Sequence, residues 1–348
     1  MWDGRNRQPR QDSTLRDKLL NVLKVAISLG LIAFIFTRPI IRNVDWSVVL
    51  SELRLWPWLL GLAIYFVAIG FNVLKWQYLL RTLDLHVPFP SLYRYNLVGL
   101  FFSLLPLSMV GGDIARGWDL TRHTEGKTAE AAVSVLVDRL VGLAGFLLAG
   151  VLGLGAAVLF LGRPDLTWLL ATLALVLLGF SLAFAALMSQ RLRRLVEKLF
   201  KIGPLERFLS LYQKLSDSVQ GYRTHLGALV VALGIQLLTV LTTCVVNYLA
   251  VVATGAEIPV AWVFVLTPLT AFAPFLPSIA SGLGWNQGVF YVLYVELAQL
   301  GGHDPEVFAG SVLLMSLAMQ AIITVSGLPG AVLWWRKREP EGEGDQGD

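Results

Sequence analysis

The chain predicts an all-α fold: a polytopic transmembrane helical bundle of about six full spans plus two broken re-entrant segments related as an inverted repeat. Three observations carry this. Of the 348 residues, 55% are hydrophobic and only 15% charged, with a mean hydropathy of +0.65, against about 25% charged in soluble domains. Apolar runs of about 18 residues or more recur along most of the length. Two apolar stretches stop short in the same way, each with a proline followed by a glycine and then polar groups: Pro106, Gly111, Gly112 and Asp113 in one, Pro277, Gly282, Gly284 and Asn286 in the other. Helix-breaking backbone at membrane depth survives only where protein or water satisfies the freed N–H and C=O groups.

The elements follow in order. Residues 1–18 form a basic N-terminus with Arg5, Arg7, Arg10, Arg16 and Lys18. The apolar stretch behind it runs to Thr37 and meets Arg38-Pro39 rather than a small-residue cleavage site, so it predicts a retained first span rather than a signal peptide. Full spans are expected at 19–37, 57–80, 130–160, 166–189, 227–253 and 307–335, with the broken segments near 91–112 and 261–299. A short amphipathic piece near 42–55, with Trp46 and the nearby Trp56 and Trp58, suits the outer interface. The region 190–225 predicts two amphipathic helices divided at Gly203-Pro204, with basic flanks suited to an anionic leaflet. Residues 336–348 end as an acidic, Gly-containing tail of disordered composition. Between 19 and 335 the chain reads as one transmembrane domain.

Charge sets the topology. Lys and Arg near membrane ends favour the cytoplasmic side. The largest cluster is Arg191, Arg193, Arg194, Lys198, Lys201, Arg207, Lys214 and Arg223, joined by the N-terminal group and Arg336, Lys337 and Arg338. If 91–112 crossed fully, the largest cluster would fall outside. If it enters and returns on the cytoplasmic side, the cluster falls inside, both termini are cytoplasmic, and only Arg38, Arg42, Arg54 and Arg163 stay outside. The second broken segment then begins and ends outside. Each half reads span, broken segment, span, in opposite orientation, a pattern that places a site between the halves near the midplane. The alternative is a pair of kinked helices, since Pro and Gly are frequent in transmembrane helices.

Candidate site residues cluster at the first break. Asp113 and Arg116 follow it, and Asp138 and Arg139 sit about 13 Å into the next span at 1.5 Å per residue. Ionisable groups at such depth pair or face a wet cavity. One reading is a polar pocket whose arginines grip a phosphate; the other is a structural ion-pair network. Gly142, Gly145, Ala149 and Gly153 form a small-residue stripe suited to close helix approach. Gln236, Thr239, Thr243 and Asn247, and likewise Ser316, Gln320 and Thr324, line single helix faces, as groove or as interhelical hydrogen bonds. Lys75, on one face with Asn72, is expected to snorkel to the cytoplasmic surface. Glu296 reads as an interfacial acid, and Cys244, the one cysteine, as a small core residue.

Enzyme signatures are missing from the sequence. His86, His123, His225 and His303 lack metal-ligand spacing. Gly126-Lys127-Thr128 has Thr121 where a phosphate loop needs glycine. Gly282, Gly284 and Gly288 follow no strand and miss the dinucleotide spacing. No cofactor is expected. The pI of about 9.2 comes from juxtamembrane loops, so no nucleic-acid partner is expected.

Three segments together resemble the lysylphosphatidylglycerol synthase transmembrane family, also called flippase-like integral membrane proteins: Gly111-Gly112-Asp113 with Arg116; Ser134 to Gly142 around Asp138-Arg139; and Pro277 through Gly282, Gly284 and Gln287. The resemblance spans roughly 15–335. It implies a membrane module that moves a lipid between leaflets, in its best-known member one modified by an attached aminoacyltransferase domain. That domain has no counterpart in the resemblance, so synthase activity is not implied. By resemblance Asp113, Arg116, Asp138 and Arg139 take the place of the family's polar motif residues, and Gln287 stands where many members carry Glu, which removes one charge.

The expected function is thus a lipid translocase-like protein of the cell (inner) membrane that moves or binds an anionic or phosphate-headgroup lipid. Arg116 and Arg139 would bind phosphate, Asp113 and Asp138 would orient them, and the backbone of Gly111, Gly112, Gly282 and Gly284, with Asn286 and Gln287, would complete the site. The alternatives are a non-catalytic partner of a separately encoded lipid- or glycan-modifying enzyme, and a small-solute transporter.

Overall fold

The structure is a computed structural model that describes residues 53–104, 111–124, 127–189, 219–256, 258–272, 285–300 and 305–336. These residues form nine α-helices: α1 (Leu55–Arg81), α2 (Phe89–Ser103), α3 (Gly111–His123), α4 (Thr128–Phe160), α5 (Thr167–Met188), α6 (Leu226–Ala253), α7 (Val260–Thr270), α8 (Trp285–Leu300) and α9 (Pro305–Arg336), with no strand among them. Among the described residues five helical stretches are long and apolar enough to cross a membrane: Leu55–Arg81, Thr128–Phe160, Pro164–Met188, Gly221–Ala253 and Gly310–Arg336. They coincide with five of the six expected spans. The expected 19–37 span, the basic N-terminus, the 42–52 part of the interfacial piece, the 190–218 part of the amphipathic region and the tail beyond Arg336 lie outside the described residues.

Local chemistry places the helix ends. Pro88 precedes α2 and Pro90 sits in its first turn, where a missing N–H costs nothing. Pro259 precedes α7 in the same way. Beyond α4 and α6 the chain turns at Gly162 (φ 64°) and Gly255 (φ 65°), a left-handed backbone that glycine adopts without a Cβ penalty. Near the first of these turns the Arg163 guanidinium stacks 5.1 Å from the Trp262 ring. A hydrogen bond to Asp165 raises its pKa above the ordinary arginine value.

Residue pairs between helices give their directions. Lys75 meets Asp138, Trp76 meets Ser134, and Lys127 Nζ donates to the Asp84 carbonyl (3.2 Å), so α4 runs antiparallel to α1. Gly61 faces Leu249, Lys75 meets Gln236 and the Arg54 N–H donates to the Ala253 carbonyl, so α6 is also antiparallel to α1. Trp58 Nε1 donates to the Ala318 carbonyl and Gly61 faces Ile322, so α9 is parallel to α1. Thus α1 opposes α6 in direction, and α4 opposes α9. The element order of long helix, two short helices and long helix occurs twice, as α1 to α4 and as α6 to α9.

The first pair of short helices is a hairpin. The Lys127–Asp84 bond ties the chain leaving α3 to the chain entering α2, so the segment leaves and rejoins the bundle at one end. At 1.5 Å per residue α2 and α3 are about 22 and about 20 Å long, short of the ~30 Å hydrocarbon core. Two glycines bring the arms together: a Cβ on Gly99 would lie 2.8 Å from the Gly112 carbonyl oxygen, and one on Gly112 would run into Ser103 Oγ and the Gly99 carbonyl. Gly330 lets α9 press on the Leu97 carbonyl of α2 in the same manner.

Apolar cores flank this arrangement. Ile69, Val73, Trp76, Leu80, Leu92 and Leu97 bury the hairpin against α1. Leu154, Ala250, Val263, Leu266, Tyr294 and Met315 join α4 to the second set of helices. Leu79, Val137, Met188, Tyr222 and Leu229 gather the end of α1, the start of α4, the end of α5 and the start of α6 at the same end as the hairpin's mouth.

The hairpin contact is testable. Gly112→Ala is expected to destabilise the purified protein by about 1–3 kcal/mol, the range for overpacking, read as a lower midpoint of thermal unfolding in detergent micelles. Gly155→Ala, where a Cβ meets nothing within 4 Å, is the comparison. Equal midpoints for the two variants would contradict the contact.

Candidate functional site

The hairpin's second arm carries charge into the bundle. Asp113 and Arg116 stand one turn apart on α3, and Arg116 Nε donates to Asp113 Oδ1 (2.9 Å). From α4, Arg139 donates to the same carboxylate twice, Nε to Oδ2 at 2.7 Å and Nη2 to Oδ1 at 2.8 Å. Arg116 reaches further inward, with Nη1 3.0 Å from Asp138 Oδ2. The four residues singled out in the sequence therefore do come together.

The fifth charge was misplaced by the sequence. Lys75 does not snorkel to the surface: it is 2% exposed, with Nζ 3.1 Å from Asp138 Oδ1 and a hydrogen bond to Gln236 Oε1 of 2.8 Å. The reason is packing. Trp76 and Leu79 lie beside it on an α1 surface buried against other helices, and an ammonium at such a position needs a carboxylate partner. The result is one alternating chain of charges, Lys75, Asp138, Arg116, Asp113 and Arg139, running from α1 through α4 and α3 and back to α4. Its inner end is capped by the Gln236 amide of α6.

Exposure rises along the chain. Lys75, Asp138 and Arg116 are at most 5% exposed, Asp113 is 19% exposed and Arg139 47%. Each carboxylate has two cations within 3.1 Å, so neither Asp is left without a compensating charge. The guanidinium of Arg116 also stacks 4.9 Å above the Trp76 ring. That indole donates to Ser134 Oγ (3.2 Å), whose hydroxyl donates to the Ala131 carbonyl (2.7 Å). Arg116 is fixed on three sides, whereas Arg139 keeps N–H donors beyond the two spent on Asp113.

Glycine permits the inner end. A Cβ on Gly142 would sit 3.7 Å from Lys75 Nζ, and one on Gly145 would collide with the Gln236 side chain. The stripe predicted for close helix approach serves two partners: Gly145 admits α6, and Gly153 admits the α7 backbone at Val265. Lys75, Gln236, Trp76 and Ser134 were not placed in this network by the sequence, although Gln236 was named for interhelical bonding, and one signal was usable. A glycine stripe directly beyond a buried Asp marks where a neighbouring polar side chain can come within reach.

Other predicted residues fall differently. Gly111 opens α3 and Gly112 supports the hairpin contact. Gly282 and Gly284 lie outside the described residues. Asn286 and Gln287 stand in the first turn of α8. Gln287 is buried, and Asn286 Oδ1 is buried with no hydrogen-bond partner among the described residues. Beyond Gln236, the polar faces of α6 and α9 bond mainly to their own helices: Thr239 to the Ile235 carbonyl, Thr243 to Thr239, Asn247 to Thr243, Ser316 to Leu313 and Thr324 to Gln320. Among the described residues these five bonds run within a helix rather than across to a neighbour. The Glu296 side chain lies outside what is described. Among the described residues no group of three His, Cys, Asp or Glu side chains stands where it would hold a metal.

A sequence model of the family described as the lysylphosphatidylglycerol synthase TM region matches residues 21–327. The chain belongs to this family. The matched range contains every residue of the charge chain and both broken segments, so the lysylphosphatidylglycerol synthase TM region here is a multi-pass membrane module of helices. No curated protein and no solved structure matches the chain.

Removing Asp138 strands two buried cations. Asp138→Asn is therefore expected to cost about 3–5 kcal/mol, the range for breaking a buried ion pair, and Asp113→Asn less, because its partner Arg139 is half exposed. A paired replacement, Lys75→Met with Asp138→Leu, removes one charge of each sign and should cost less than Asp138→Asn alone. Thermal unfolding of the three variants in one detergent checks the order. Asp113→Asn proving the most harmful would contradict it.

Proposed function

We propose that this chain is a non-enzymatic, lipid translocase-like protein of the cell membrane. It binds a lipid through a phosphate headgroup and moves that headgroup between leaflets. The observation that carries the reading is Arg139. It is a half-exposed guanidinium, oriented by the bidentate hold of Asp113, at the outer end of a buried charge chain and beside a broken hairpin. A preoriented guanidinium with free N–H groups is suited to the tetrahedral oxygens of phosphate.

Roles divide along the chain. Arg139 makes first contact with the headgroup. Arg116, enclosed by two carboxylates and Trp76, receives the phosphate only as Asp113 yields. Asp113 and Asp138 compensate the arginines when the site is empty. N–H groups at the start of α3, Gly111 and Gly112, add anion contacts as helix N-termini do, and the Gly282 to Gln287 stretch contributes from the second set of helices.

The opposite directions of α1 and α6, and of α4 and α9, support an inverted repeat, in which the site would lie between the halves. Met188 and Tyr222, which flank the basic stretch from Arg191 to Lys214 in sequence, pack at the end of the bundle where the hairpin opens, which supports a cytoplasmic assignment for that end and for both termini.

Headgroup accessibility in proteoliposomes tests the reading. With a fluorescent-headgroup phospholipid and a membrane-impermeant quencher, the wild-type protein is expected to make inner-leaflet lipid accessible. Arg139→Gln is expected to slow this by about tenfold or more, since a hydrogen bond to a charged group contributes roughly 1.5–3 kcal/mol. Equal rates for wild type and variant would remove the proposed role. If neither moves lipid and a lipid- or glycan-modifying enzyme copurifies, the protein is instead that enzyme's membrane partner.

A further inference from the structure

We infer that the second half of the bundle holds a site for a small monovalent cation such as sodium, at the proline break of α7. The Phe264 carbonyl, Thr267 Oγ1, the Tyr294 hydroxyl and Asn247 Oδ1 build it. The inference is independent of the headgroup reading, since none of these residues belongs to the charge chain.

The site begins with a freed carbonyl. Pro268 stands inside α7. It has no N–H, so it returns no helical bond to the carbonyl four residues earlier, which is that of Phe264. The Cys244 thiol of α6 approaches this oxygen only to 4.0 Å, and a thiol is a weak donor. Gly153 of α4 faces the same oxygen without a side chain to cover it.

Three further oxygens gather there from three helices. Thr267 Oγ1 stands near both the Cys244 thiol and the Tyr294 hydroxyl of α8. Both hydroxyls are buried, and neither is in hydrogen-bond geometry with any group among the described residues. Asn247 lies one turn beyond Cys244 on the same buried face of α6, between it and Val251, which shares a core with Val263 and Leu266 of α7. Its amide nitrogen donates to the Thr243 carbonyl, and its buried Oδ1 has no partner among the described residues.

Buried polar atoms are normally bonded, and each exception calls for an explanation such as a water or an ion. All four oxygens can accept, and a cation is the ligand that only acceptors complete. Broken membrane helices hold monovalent cations through freed carbonyls and half-helix C-termini. Thr267 lies in the last turn of α7, where the helix carries partial negative charge. The four oxygens are neutral, whereas calcium and magnesium sites are built on carboxylates, so the charge that fits is one. Cys244 lies roughly 14 Å from the end of α6 at 1.5 Å per residue, close to the middle of a ~30 Å hydrocarbon core. The repeated order of helices gives the same station to both halves: Asn247 stands six residues before the end of α6, as Lys75 does before the end of α1. A cation held at this station ties α6, α7 and α8 together and supplies an ion to which a transport cycle can be coupled.

The test uses the purified full-length protein in an uncharged detergent. Thermal unfolding is followed in sodium, choline and calcium chlorides at one ionic strength, and binding of radioactive sodium is measured directly. Sodium at about 150 mM is expected to raise the unfolding midpoint over choline by about 2 °C or more, and to bind saturably. Thr267→Val and Tyr294→Phe each remove one oxygen and little volume. Each is expected to weaken sodium binding about tenfold or more, while its midpoint in choline stays at or above that of the wild type, because an unpartnered buried hydroxyl has gone.

Equal midpoints in sodium and choline, with no saturable sodium binding, would overturn the inference and leave these oxygens to water. Sodium binding of wild-type strength in both variants would overturn it by placing the ion elsewhere. A larger rise in calcium than in sodium would overturn the assignment to a monovalent ion. The two substitutions stand on separate helices, so either one decides the placement if the other fails to fold.

Discussion

The arrangement of the first half depends on one carboxylate. Asp138 lies about 15 Å along α4 at 1.5 Å per residue and is closed off from solvent, a position where an unpaired charge is costly. It is compensated from two sides by residues of two other elements, Lys75 of α1 and Arg116 of α3. Neither partner can be supplied unless the hairpin is docked and α1 presents its lysine inward. The pairing therefore fixes the position of the hairpin's second arm relative to the long helices, and Gln236 brings α6 into the same network.

Small residues make that pairing sterically attainable. Gly99 and Gly112 let the two arms of the hairpin touch backbone to backbone, and Gly145 opens the space that Gln236 fills. Close approach and charge compensation are thus coupled. Bulk at any of these glycines would lengthen the distances on which the ion pairs depend. The second set of helices repeats the order of elements, and among the described residues it adds no charged side chain to this network. Its buried polar groups at the corresponding helices include Thr267 on α7 and Asn286 and Gln287 on α8. The charged side chains of the network all belong to the first half.

Much of this was legible in the sequence, for a physical reason. Apolar runs long enough to span a bilayer leave few alternatives, so five spans were placed within a few residues. The Pro106–Gly111 break, read with the positive-inside rule, implied a segment that returns to its own side, and the Lys127–Asp84 bond brings the two ends of that segment together at one end of the bundle. Asp113, Arg116, Asp138 and Arg139 were visible because charge is rare in such runs. Lys75 was misjudged because a lysine stem is long enough either to reach the surface or to turn inward. Helical period puts it on one face with Asn72 without saying what that face meets. Gln236 was one of four polar residues at helical spacing, and spacing cannot tell a side chain that crosses to a neighbour from those, like Thr239 and Thr243, that bond to their own backbone.

The most direct measurement is side-specific labelling of single cysteines in intact, sealed membrane vesicles, on a background in which the buried Cys244 is replaced by alanine. Asp84→Cys stands before the hairpin, His123→Cys at its end, and Gly162→Cys at the far end of α4. The account predicts that an impermeant thiol reagent reaches positions 84 and 123 from the same face of the membrane and position 162 from the opposite face. Labelling of 84 and 123 from opposite faces would contradict it, because the segment carrying Asp113 and Arg116 would then cross the membrane rather than return.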